Sequence, residues 1–110
     1  MNDYIVKRAE KLKMDFEQKA IEIITGVKHP AIHHTLHDLG IIRSYEIKDS
    51  NIEILMALPA PNIPLLNMLI QSFKQPLEEM KAKVNVQTVV MTQEELQKFL
   101  TMEQSAWKGL

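Results

Sequence analysis

No cysteine occurs in the 110 residues. Disulfides, thiolate metal ligands and a cysteine nucleophile are therefore excluded from this chain. The absence fits a reducing compartment, and a cytoplasmic location is expected. Glycine is scarce, with Gly26, Gly40 and Gly109 alone, so there is no Gly-rich loop to cradle phosphate. None of Ser44, Ser50, Ser72 and Ser105 sits in a Gly-x-Ser-x-Gly frame, and Ser/His/Asp chemistry finds no support. No apolar run approaches the ~20 residues that span a bilayer. The opening Met1-Asn2-Asp3-Tyr4 lacks the basic-then-apolar layout of an export signal. Neither sign of charge dominates. A formal charge of -1 leaves no basic footprint, so neither nucleic acid nor membrane is expected as a partner.

What is present suits one globular domain over residues 1–110 with a modest core. The apolar fraction is 45% and the charged fraction 25%, ordinary for such a domain. The chain is organised around Leu58-Pro59-Ala60-Pro61-Asn62-Ile63-Pro64. An alternating segment (Ile52, Ile54, Met56, Leu58) runs into it as a strand. A helix-period segment (Leu66, Leu69, Ile70, Phe73, Leu77, Met80) runs out of it. Three prolines stiffen the crossing. Pro64 suits the first helical position, with Asn62 or Ile63 as the cap. The open N–H groups of that helix start make the crossing the expected working site.

Before it, Asp3 can cap a helix carrying Ile5, Ala9, Leu12, Phe16, Ala20, Ile23 and Ile24 on one stripe, with Gly26 as its stop. Pro30 can open a short helix that Gly40 closes. Ile41 to Ile47 and Ile52 to Leu58 read as strands joined at Lys48-Asp49-Ser50-Asn51, although the adjacent Ile41 and Ile42 spoil the first alternation. After the crossing, Pro76 predicts a kink or a break. Val84, Val86, Thr88 and Val90 alternate as a third strand. Thr92-Gln93-Glu94-Glu95 has capping-box spacing ahead of Leu96, Phe99 and Leu100, and Trp107 is placed to pin the tail. Met56, Met68 and Met80 lie on core-facing stripes. The fold expected is α+β, a two-layer sandwich in the order α-α-β-β-α-β-α. Its three-stranded mixed sheet, a hairpin plus a crossover strand, is covered by helices.

His33 and His37 are four apart, so on a helix they share a face, and His29, His34 or Asp38 could complete a metal site. No Glu stands between them in the metalloprotease arrangement, and solvated or capping histidines are the plainer reading. Asp38 ends the same short helix. Its carboxylate could accept N–H groups of the Pro61-Asn62 crossing or simply steady its own turn. As a general base it has no visible partner.

The order of elements and three local motifs resemble the small iron–sulfur cluster assembly domain of PaaD-type proteins and of the N-terminus of Mrp-type P-loop ATPases. The resemblance covers Ala20 to about Val90. His29-Pro30-Ala31-Ile32 is similar to the family's Asp-Pro-Glu-Ile, and His37-Asp38-Leu39-Gly40-Ile41-Ile42 to its Val-Asp-Leu-Gly-Leu-Val. The crossing Leu58 to Pro64 falls where the family has Leu-Thr-x-Pro-Gly-Cys-Pro, and its reactive cysteine falls on Ile63. The resemblance implies an iron–sulfur cluster pathway, with no cluster or other cofactor bound directly by this chain. It implies a non-enzymatic adaptor acting by contact with a protein such as an Mrp-type ATPase or a cluster scaffold. The contact residues expected are Asp38, Leu39, Gly40, Pro61, Asn62, Ile63 and Pro64, with Ile63 as an exposed apolar anchor. The alternative is a metal-binding protein using His29, His33, His34 and His37. A sheet edge or an apolar helix face leaves room for a homodimer.

Overall fold

The computed structural model describes residues 3–106, with side chains described from residue 10 onward. The expectations for Asp3, Ile5, Ala9 and Trp107 fall on side chains or residues outside that description. The elements are α1 (Asp3–Gly26), β1 (Ile42–Lys48), β2 (Asn51–Leu58), α2 (Leu66–Glu79), β3 (Lys83–Val90) and α3 (Gln93–Ala106). β1 pairs antiparallel with β2 and β2 pairs parallel with β3. The mixed sheet therefore has the order β1-β2-β3. A hairpin followed by a helical crossover produces this α+β arrangement, as the sequence predicts.

The alternation of β2 sends Ile52, Ile54, Met56 and Leu58 to one face, all buried. Ile52 pairs with Val84 and Ile54 with Val86. On α2, Leu69, Phe73 and Leu77 recur at helical spacing and are buried. α2 lies on β3 and α1 on α2, so the helices cover the face that carries these side chains. α2 runs unbroken through Pro76. Phe73 and Leu77, both fully buried on either side of the proline, hold the helix through the missing hydrogen bond.

The adjacent Ile41 and Ile42 have a simple cause. The register shifts between Ile42 and Ser44, a β-bulge that leaves Arg43 as the extra residue. Both isoleucines can then be buried without breaking the later alternation.

The short helix expected between Pro30 and Gly40 is replaced by two turns. Lys28 bridges Thr35, and the Leu36 N–H donates to the Val27 carbonyl at 2.9 Å. Within that loop the Ala31 N–H donates to Nδ1 of His29 at 3.0 Å. Only Thr35 to Leu39 forms a helical turn. Thr35 caps it by accepting the Asp38 N–H at 3.0 Å. Gly40, at φ +80°, closes it: the Ile41 N–H reaches the Leu36 carbonyl and the Gly40 N–H the His37 carbonyl. That pair of bonds is a Schellman motif. A free helix of ten residues is unstable in water, and burial of Ala31, Ile32, Leu36 and Leu39 favours the looped path.

α1 ends at Gly26 itself, one residue later than a glycine stop would place it. At 24 residues it is about 36 Å long, and it stretches the molecule to 56 × 24 × 23 Å. Ala20 and Ile24 are fully buried, whereas Leu12 is 60% exposed. The expected apolar stripe thus outruns the core it faces. No helix among the described residues is long and apolar enough to cross a membrane.

Candidate functional site at the end of the sheet

β1 starts where β2 ends, because the pair is antiparallel. The Ala57 N–H donates to the Ile41 carbonyl at 2.8 Å, and the Met91 N–H to the Leu58 carbonyl at 2.7 Å. These bonds bring the Asp38-Leu39-Gly40 turn, the Leu58–Pro64 crossing and the end of β3 to one edge of the molecule. The topology therefore brings together the two segments that the sequence singles out.

The crossing does not cap α2 as expected. Ile63, Pro64, Leu65 and Leu66 form a turn in which the Leu66 N–H donates to the Ile63 carbonyl at 3.1 Å. Leu65, at φ −85° and ψ 2°, has the third-position geometry of a type I turn, and Pro64 sits at the second, which its fixed φ favours. Leu65 becomes the N-cap and offers no side-chain bond. Neither Asn62 nor Ile63 caps the helix, and Pro64 precedes it instead of opening it.

Exposure divides the expected contact residues. Pro61, Asn62, Pro64 and Asp38 are exposed, and Gly40 is half-buried. Leu39 is only 3% exposed and belongs to the core. Ile63 is half-buried against the core cluster, so it is a partly seated side chain and not a free anchor. The Asp38 carboxylate takes no hydrogen bond from the crossing; its Oδ1 lies 4.0 Å from Nδ1 of His37. Nor does it steady the turn, since that bond comes from Thr35. Residues absent from the expectation sit at the same edge: Leu65, Met68 and Val90 are exposed, and Val90 pairs with Leu58. Met68, placed on a core-facing stripe by the sequence, is instead 57% exposed, at the flank of the buried Leu69-Phe73-Leu77 stripe.

The histidines do not share a helix face, because the helix that would align them is absent. His29 is buried with Nδ1 engaged by the Ala31 N–H. His33 and His37 are exposed and His34 is half-buried. The His37 ring lies 6.5 Å from that of Tyr45. Among the described residues no three His, Asp or Glu side chains gather as a metal-ligand set.

Arg43, at the bulge, forks onto Glu95, with Nε to Oε2 at 3.0 Å. Glu95 also accepts the Thr92 N–H at 3.0 Å, while its own N–H donates to Oγ1 of Thr92 at 3.2 Å. The capping box read from the sequence is complete. Arg43 holds the Glu95 carboxyl down from 4.5 to about 2, with the Thr92 N–H as the second cause, and Glu95 raises the Arg43 pKa in return.

The sequence model of the iron–sulfur cluster assembly protein family matches residues 17–88. The chain belongs to that family. The match spans both segments of the site, from the inner half of α1 to most of β3. Involvement in iron–sulfur cluster assembly follows for the chain at this level. Glu95 and α3 lie beyond the matched region, so the tie from Arg43 joins the family's sheet to a helix outside it. No curated protein and no solved structure gives a significant match.

Proposed function

We propose that this chain is a non-catalytic adaptor in iron–sulfur cluster assembly, working through protein contact at the Pro61-Asn62-Ile63-Pro64 end of the sheet. The observation that carries the reading is Ile63. The resemblance puts the family's cysteine at this position, and here an aliphatic side chain is half-seated against the core. With no cysteine anywhere in the chain, cluster ligation by thiolate is unavailable. What the edge offers instead is contact surface: rigid, exposed Pro61 and Pro64, the polar Asn62, and the exposed side chains Leu65 and Met68 beyond them. Prolines lower the ordering cost of such a surface, because their φ is already fixed. The partner is an Mrp-type P-loop ATPase or a cluster scaffold.

The test is anaerobic co-purification from the native host with the wild-type chain and with Asn62→Arg. Asn62 is exposed, so this variant spares the core, whereas Ile63→Asp would bury a charge. The reading expects an ATPase or scaffold with wild type and its loss with Asn62→Arg at unchanged thermal stability. Equal recovery with both variants removes this edge as the contact site.

A further inference from the structure

The two edges of the sheet are built differently. β1, at one edge, carries Arg43, Glu46 and Lys48 and is bent by the bulge at Arg43. Charges and bulges are the usual guards against pairing with another chain. β3, at the other edge, keeps an unbroken register with β2. From Val84 to Val90 it carries no charge and no proline, and Val and Thr fill most positions. Such a run has the composition of a strand that pairs. No strand lies beyond β3 among the described residues, and residues 87–90 are exposed.

The ladder fixes which backbone groups face that edge. The Lys83 N–H donates to the Ser50 carbonyl at 2.8 Å, and the Met91 N–H to the Leu58 carbonyl at 2.7 Å. In a parallel pair alternate residues bond to the neighbour, so Asn85, Gln87 and Val89 also turn their backbone groups to β2. Val84, Val86, Thr88 and Val90 turn theirs outward. A row of N–H and C=O groups two residues apart fits one kind of occupant, another extended strand.

We infer that this occupant is β3 of a second copy, paired antiparallel about a two-fold axis at Gln87. In this register Val86 faces Thr88 of the second copy and Val84 faces its Val90. Each of these pairs uses the outward backbone groups of both strands. Val90, 52% exposed, gains an apolar neighbour. Gln87 meets its own symmetry mate, where two amides can bond. Lys83, the one charged residue of β3, falls opposite Met91, so no like charges oppose one another. The joined sheet then ends in the guarded β1 on both sides, and association closes at two copies. The inference goes beyond the adaptor reading and does not rest on it.

Sedimentation equilibrium of the full chain, with amide hydrogen exchange read by NMR, tests it. The wild type is expected to dimerise. Gln87→Lys and Gln87→Glu, at an exposed position, each set like charges together on the axis and weaken self-association at least about tenfold. Mixing the two variants restores a heterodimer. The Val86 and Thr88 amides exchange freely in the dilute monomer and become protected as the dimer forms. Those of Gln87 and Val89 are protected in both states. A wild type that stays monomeric at millimolar concentration overturns the inference. So does a dimer that tolerates both Gln87 variants, or one in which Val86 and Thr88 exchange as freely as in the monomer.

Discussion

Arg43 and Glu95, fifty-two residues apart, form a forked ion pair whose acid is also the closing residue of the α3 capping box. One carboxylate thus does two jobs. It satisfies the Thr92 N–H at the helix start, and it fastens the bulged end of β1 to α3. A bulge directs its extra residue away from the regular ladder, which is how Arg43 becomes available for this bond.

This tie is sensitive to acid. The folded Glu95 has a pKa of about 2 against an ordinary 4.5. A depressed carboxyl stabilises the fold above its ordinary pKa and loses that contribution as pH falls towards the depressed one. Glu95→Gln should therefore flatten the fall in urea stability between about pH 4.5 and pH 2. The difference from wild type should shrink in high salt, because the pair is solvent-accessible. Identical pH profiles for the two proteins would show that the pair contributes nothing.

Thr92→Ala removes the other half of the box. A lost cap of this kind costs about 1 kcal/mol, read as a lower urea midpoint with an unchanged slope.

Two left-handed positions make opposite predictions. Lys81, at φ +70°, occupies the glycine position of a Schellman motif: the Ala82 N–H reaches the Leu77 carbonyl and the Lys81 N–H the Glu78 carbonyl. Lys81→Gly should raise stability by about 0.5–1 kcal/mol. Gly40, at φ +80°, has nothing within 4 Å of where a Cβ would stand. The cost of Gly40→Ala is therefore backbone strain alone, about 1 kcal/mol. Thermal unfolding of both variants checks the pair, and a stabilising Gly40→Ala would contradict the geometry.

Phe73 is the largest fully buried side chain among the described residues, set on α2 one turn before Pro76. Phe73→Ala should cost about 3–5 kcal/mol. It also removes one of the two anchors holding α2 unbroken through its proline. Helical content by circular dichroism should fall along with the urea midpoint.

The parts of the fold that were legible in the sequence are those with strong local codes. Alternation located β2, the crossover order gave a mixed sheet, and Thr92 with Glu95 gave the last helix start. Gly40 was legible as a stop because only glycine enters the left-handed region cheaply. The turn it closes is shorter than Pro30 suggests, because Thr35 caps it. Thr35-Leu36-His37-Asp38 carries the spacing of a cap and its third residue, which would have restricted the helix to a single turn. The site was legible as a place and less so in its details. Leu39 and Ile63 looked like contact residues until the tertiary fold drew one inside and half-covered the other. Arg43 gave no local signal, since a bulge depends on a pairing that only the partner strand defines.

If this family member contributes contact and not ligation, the isolated chain holds no cluster of its own. The most direct measurement is iron and sulfide stoichiometry of the chain purified anaerobically and separated from bound proteins by gel filtration. Far less than one iron per chain is expected on the isolated protein, with iron and sulfide eluting with its partner. A stoichiometric cluster retained on the chain alone, and lost in a His29→Ala/His33→Ala/His37→Ala variant, would contradict it.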